Sequence, residues 1–525
     1  MRLVRALPVL LLLAAPLHLA PAQGPSCSVD FSKPKEVGQA AEAVDQARAL
    51  GGNPALAQRS LKEAMRALQD PKKVAGNPVA VSLLRAQVYL LWLQQPGVGE
   101  TVTNEQLNAA GDRSAIVNLI ASFDAELRSV ETGRPECRDE IASLRNSKAW
   151  VDRIQKAFGA LEAGQADSAA YWVSRSVQLN PRSPWTMRAQ AELADRQGRP
   201  LELIALLQGA ISEAATDTSL AAMAQDMRVR LAVAADEQSV AQQGAMRDSL
   251  RALAVATFTR LLADNPTGNL GNFAFNRASQ LLQLAQDSVG VRSILARLVA
   301  TPGTYGEDVL LQAANVARIA QRRADAIALY EGVRGRNPYN RDAAYILALF
   351  YYEAKDPAAM APLVERSLEI DPINAEIAQL RSLLLGLQAD AEKDAAKKKE
   401  LRAKQSAATE SALRMETTQR VAITQMEQKS TGLTMTGTLE NLSDAPRSYV
   451  LGIDFIDATG GTLDSASVQI PTVAPTQQGT FSVTSTKAGV IGYRFRPMPL
   501  PPAMAVPKEA PKATPSAPAP RKRPG

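Results

Sequence analysis

The chain carries one histidine, His18, so every residue after it must do its chemistry without imidazole. That strikes out Ser-His-Asp and Cys-His nucleophilic catalysis, His-ligated zinc and the imidazole proton switch. Ser-Lys catalysis needs no histidine, and Ser32-Lys33-Pro34-Lys35 is the one Ser-x-x-Lys to weigh. Such a pair works when Ser opens a helix and Lys sits one turn inward; Pro34 lies between them, and neither Ser-Asp-Asn nor Lys-Thr-Gly accompanies it. Gly97-Val-Gly99-Glu has no third glycine and no strand before it, so it reads as a turn and not a dinucleotide site. Asp454, Asp457 and Asp464 lack the spacing of a calcium loop and suit hairpin turns. The expectation is a chain with no catalytic residue, no cofactor and no metal.

Two cysteines remain, Cys27 and Cys137. In an oxidising compartment two cysteines of one exported chain most often pair, two independent thiols being the alternative. Export is expected from the N-terminus. Arg2 and Arg5 precede an apolar run from Ala6 to Ala20, and Ala20-Pro21-Ala22 is an Ala-x-Ala end, which makes a signal peptide cut after Ala22. The run is shorter than the roughly 20 apolar residues of a membrane span. Gly24-Pro25-Ser26 ahead of Cys27 is not a lipobox. The expected location is periplasmic or envelope-associated.

Charge narrows the partners. Without Arg2 and Arg5, 57 basic residues face 53 acidic ones, a net of +4. The tail after Pro497 holds Lys508, Lys512, Arg521, Lys522 and Arg523 against Glu509, which accounts for the same +4. The body is near neutral and argues no nucleic-acid face. With 46% hydrophobic residues in 525, the composition is that of a globular chain of several domains.

The elements that would position any site are mostly helical. Residues 35–50, 54–69 and 79–93 carry apolar residues at three- and four-residue steps, and 107–130 and 138–158 continue the pattern. From Ala149 a repeat becomes readable. One unit closes on Asn180-Pro181, and later units close on Asn265-Pro266, Pro302, Asn337-Pro338 and Asp371-Pro372, the last two prolines standing 34 residues apart. Residues 212–264 are helical but lose the register.

Small residues at Ala314, Ala326 and Ala348, bulky ones at Tyr330, Leu347 and Tyr351, the Asn-Pro and Asp-Pro closings and the 34-residue step resemble tetratricopeptide repeats. Lys156, Gln190 and Met360 depart from that pattern. Small residues let the helices of a hairpin cross closely, and proline cannot continue the previous helix. The resemblance implies a groove lined by first helices, with Asn315, Arg318, Tyr345, Leu349 and Tyr352 as peptide-binding residues; Leu311 and Ile346 stand where a carboxylate clamp would have Lys and Asn.

Residues 389–404 are charged without an apolar face and read as a solvated helical spacer. Beyond Arg420 the period changes to two, giving six or seven short strands between 421 and 495, a small β-sandwich. Gly437-Thr-Leu-Glu-Asn441, Phe455-Ile-Asp457-Ala-Thr-Gly460-Gly, Pro475 and Thr480-Phe481 resemble the FxLYD-type immunoglobulin-like domain of bacterial envelope proteins.

The expected architecture is mainly α, a tetratricopeptide-like solenoid followed by a small antiparallel β-sandwich. Its segments are a signal peptide (1–22), a helical region with loose repeats (23–148), the solenoid (149–388), a charged helical linker (389–417), the FxLYD-like sandwich (418–497) and a disordered, basic, Pro-rich tail (498–525). The expected function is a non-catalytic scaffold or adaptor holding a protein or peptide partner, with no transmembrane segment. The alternatives are an envelope glycan-acting enzyme using paired carboxylates and a glycan- or surface-binding module led by the sandwich.

Overall fold

The computed structural model describes residues 27–215, 217–429 and 431–499. The expected leader with His18, and all but the start of the expected tail, lie outside the described residues. The chain divides into two compact units, Met1–Thr257 and Phe258–Gly525.

The first unit begins with helices α1 (Lys35–Ala49), α2 (Pro54–Ala67), α3 (Pro71–Val74) and α4 (Pro78–Leu93). Proline opens the last three, where its missing N–H is no loss, and Asn53, Asp70 and Asn77 cap them through their side chains. Helix α4 is apolar on nearly all sides and buries Leu83, Leu84, Ala86, Val88, Leu90 and Trp92 at the centre of the unit. The helical pattern expected over 107–130 is broken. Strand β1 (Thr101–Thr103), helix α5 (Asn104–Leu107) and strand β2 (Ile116–Asn118) form a small ribbon before α6 (Leu119–Gly133). Asn108 and Gly111 both take positive φ, 59° and 100°, which a continuous helix does not tolerate.

The unit continues with α7 (Arg138–Arg145), α8 (Lys148–Glu162), α9 (Ala166–Leu179), α10 (Pro184–Arg196), α11 (Pro200–Ala214) and α12 (Ala221–Ala241). Cys27 is bonded to Cys137, sulfur to sulfur at 2.12 Å. The Arg145 guanidinium, 4% exposed, donates to Asp124 Oδ1 at 3.1 Å and to the Leu179 carbonyl at 3.0 Å. That pairing lets a charge lie inside the helix stack. Helices α8–α9 and α10–α11 are hairpins turned by Gly164 and Gly198 at φ 69° and 65°. Helix α12 and helix α13 (Gly244–Asp264), each of 21 residues, are too long for the 34-residue step, which is why the register lapses there.

The second unit takes it up again with α14 (Gly268–Leu284), α15 (Ser288–Ala300), α16 (Glu307–Ile319), α17 (Arg323–Arg336), α18 (Arg341–Glu353) and α19 (Pro357–Ile370). These pair as three hairpins of the tetratricopeptide kind. Ala314, Ala326 and Ala348 are fully buried where helices cross, and Tyr330 and Leu347 fill the space beside them. At the turns Gln286, Gln321 and Lys355 take the left-handed conformation that glycine supplies in the first unit.

Helices α20 (Ala375–Ala391) and α21 (Ala395–Glu416) form a further hairpin. The charged run is helical but not a free spacer: it folds back on α20, with Ser382 Oγ 2.6 Å from Thr409 Oγ1. Gly386 admits the Gln405 side chain so closely that a Cβ there would lie 2.8 Å from its amide nitrogen.

Six strands follow: β3 (Gln419–Lys429), β4 (Gly432–Asn441), β5 (Arg447–Ile456), β6 (Thr462–Val473), β7 (Gln478–Ser485) and β8 (Gly492–Phe495). They make two antiparallel sheets, ordered β3-β4-β7 and β6-β5-β8, around Met435, Leu451, Ile453, Phe455 and Phe495.

That core is shared with the helices. Tyr339 and Ile373, from the two turns at Asn337-Pro338 and Asp371-Pro372, and Ile370, the last residue of α19, are buried among the strand residues. The Tyr339 hydroxyl donates to the Thr459 carbonyl at 3.1 Å, Asn337 Nδ2 donates to the Ile491 carbonyl at 3.1 Å, and Arg494 pairs with Glu369 at 3.2 Å. The proline turns that mark the repeat in the sequence are thus the seat of the sandwich. No helix among the described residues is long and apolar enough to cross a membrane.

Candidate functional site

Helix α18 is started by Asn340, whose side chain accepts from the Ala343 N–H, so Tyr345 and Leu349, one turn apart, share a face. Asn374 starts α20 in the same way and sets Glu376, Gln379, Leu380 and Leu383 on one face. These two faces, the end of α21 at Ala412 and Glu416, and the first residues of β3, Gln419 to Ile423, enclose a cavity of about 550 Å³. The hollow is half open. Its walls come from helix and strand, so its shape is fixed by the packing of four elements.

The charges at this cavity are unevenly satisfied. Arg341 is held by Asp371 and Asp342, each at 3.0 Å, and Arg420 faces Glu440 at 3.4 Å. Burial pushes the Asp371 carboxyl above the usual carboxylate range, with Arg341 pulling against it. Glu376 and Glu416 have no cationic partner among the described residues. The Tyr345 hydroxyl is pushed above its ordinary value by burial and then by the Glu376 charge. Gln419, 4% exposed, keeps its Nε2 buried without an acceptor. A hollow with mixed polar and apolar walls, two exposed carboxylates without a cation among the described residues and a desolvated amide donor suits a ligand that brings acceptors and positive charge.

Of the five residues expected to bind a partner, the structure brings Tyr345 and Leu349 together in this cavity. Tyr352 lies on the same stripe of α18, half-buried and outside the cavity lining. Asn315 is occupied, its Oδ1 accepting from the buried Tyr330 hydroxyl at 2.8 Å. Arg318 is exposed on α16 beside that hydroxyl. Glu376, Glu416 and Gln419 escaped the sequence reading, because charged and amide residues abound and no local pattern marks three that meet across a separation of 43 positions.

Other sequence candidates have structural employment. The Ser32 hydroxyl donates to Asp30 at 2.6 Å, while Lys35 merely begins α1. Asp457 accepts from the Thr459 and Gly461 N–H groups, and Asp454 pairs with Arg496 at 2.6 Å, so these aspartates hold turn and sheet. Among the described residues no three of His, Cys, Asp and Glu gather as a metal site. In the first unit, Phe158 and Trp185 meet edge to face at 6.2 Å with the Arg188 guanidinium 5.9 Å from both rings. Trp185 is 38% exposed there, an aromatic surface the sequence reading also missed.

No protein-family model matches this chain. No curated protein matches it either. Among solved structures, the P58(IPK) TPR domain is 14% identical over 72% of this chain and 94% of its own, with a TM-score of 0.22. The human IFIT1 dimer with m7Gppp-AAAA is 12% identical over 74% of this chain and 91% of its own, with a TM-score of 0.24.

Proposed function

We propose that this chain is an exported, non-catalytic interaction scaffold of the cell envelope, and that it holds a peptide segment of a protein partner at the Tyr345–Leu349 face of α18. One observation carries the reading. Stacked hairpins and strand β3 present a preformed cavity of about 550 Å³ that sets Tyr345, Leu349, Leu380 and Leu383 beside polar groups left for a partner to satisfy. Export is supported by the leader-like residues 1–22 and by the Cys27–Cys137 bond, since disulfides persist in oxidising compartments. The FxLYD resemblance of residues 418–497 is a further reason to look in the envelope. Glu376 and Glu416 are exposed, unlike the buried acid of a glycoside-cleaving carboxylate pair, which favours the scaffold over the glycan-acting alternative.

The experiment is affinity capture from the organism's own envelope with the mature protein and with a Tyr345→Ala/Leu349→Ala variant of unchanged circular dichroism. A partner held by the parent and lost by the variant supports the reading. Identical capture by both overturns it.

A further inference from the structure

Strand β3 lies at the end of its sheet and pairs on one side only, with β4. Its pairing slips between Ile423 and Gln425, a bulge of the kind that blunts a free edge. The regular stretch before that slip, Gln419 to Ile423, is the part that walls the cavity. An edge strand left regular beside a hollow is open to one more strand, because its outward N–H and C=O groups have no partner in the sheet.

Resting on the reading above, we propose that the partner segment enters the cavity as an extended strand, adds to the free edge of β3 at Gln419–Ile423, and brings a lysine or arginine to Glu376 and Glu416. Three independent features agree. The backbone edge asks for an extended chain, which no helix or folded loop supplies. Among the described residues the two carboxylates lack cations, while both arginines of the cavity have carboxylates, so an incoming basic side chain is answered and an acidic one is not. The Gln419 amide is desolvated without an acceptor, and rotation about its last bond turns the donor toward an arriving peptide carbonyl.

The test uses a display library of random nine-residue peptides on the full-length mature protein, counter-selected on Tyr345→Ala/Leu349→Ala. The expected winners carry Lys or Arg. Their affinity should fall about tenfold on Glu376→Gln/Glu416→Gln, and backbone N-methylation at alternate positions of the peptide should abolish binding. Hydrogen exchange at 419–423 should slow when peptide is added. Gln419→Leu should weaken binding several-fold without lowering the melting temperature, since the donor it removes has no partner in the free protein. Winners without basic residues, or winners indifferent to N-methylation, overturn the strand-addition proposal and leave the scaffold reading standing. A library that yields no peptide dependent on Tyr345 and Leu349 overturns both.

Discussion

Gly460 turns the hairpin between β5 and β6 at φ 85°, and a Cβ built on it would lie 1.7 Å from the Tyr339 hydroxyl oxygen and 2.4 Å from the ring carbon that bears it. The two residues therefore compete for one space, and a double-mutant cycle reads the seat of the sandwich directly. Gly460→Ala carries about 1 kcal/mol for the left-handed backbone and about 2 kcal/mol for overpacking, because the ring must leave the Thr459 carbonyl and the Arg366 guanidinium that lies 4.0 Å over it. Tyr339→Ala removes a ring 8% exposed and one hydrogen bond, a cost of about 4 kcal/mol. In the Tyr339→Ala background the clash is gone, so Gly460→Ala should cost only the backbone part, about 1 kcal/mol, and the coupling is about −2 kcal/mol. The assay is urea unfolding by far-ultraviolet circular dichroism. Tryptophan emission is the internal control, because Trp92, Trp150, Trp172 and Trp185 all precede residue 257 and that transition should stay in place. Additive costs, with Gly460→Ala equally harmful in both backgrounds, would refute the docking of Tyr339 on the β5–β6 turn.

Replacing Cys27 and Cys137 together by Ser should destabilise the first unit by about 2–5 kcal/mol, seen as an earlier tryptophan transition that reductant reproduces in the parent; two alkylatable thiols in folded protein purified without reductant would contradict the bond. Glu307 is pushed above its ordinary value of 4.5 by burial, against the hydrogen bonds it accepts from Asn340 and Asn337. A carboxyl raised on folding binds its proton more tightly in the native state, so its stabilising part is complete below 4.5 and is lost as pH climbs through the folded value. Glu307→Gln keeps an acceptor for both asparagines and should shrink that loss in a pH series of urea midpoints; an unchanged pH slope would count against it.

Much of the architecture was legible because it is written locally. Asn and Asp before proline end helices by fixing the next φ and removing a donor, and the change of apolar period near Arg420 marks the passage from helix to strand. The left-handed Gln286, Gln321 and Lys355 were not legible, since a glutamine or lysine announces no positive φ. The β1–β2 ribbon read as helix because Val117 and the α6 residues after it continue an apolar spacing that Asn108 and Gly111 interrupt only through their dihedrals. Of the site, Tyr345 and Leu349 could be placed from the repeat register alone. Their companions could not. Gln419, Glu416 and Glu376 meet them only because α21 folds back on α20, and the Ala- and Lys-rich run 389–404 advertises helix without advertising a packing partner.

The seating of one sandwich on two consecutive proline turns has a mechanical consequence. A stack of hairpins is ordinarily a spring, bending by a little rotation at each seam between neighbours. Tyr339 and Ile373 stand 34 residues apart, one on each side of the α18–α19 hairpin, and both are buried in the same β core. A sheet closed on both turns splints that seam. Stretching the solenoid there loads both anchors at once, whereas unsplinted seams among the stacked hairpins open one at a time. The length of the stack that carries the cavity is therefore the length that keeps its curvature under tension.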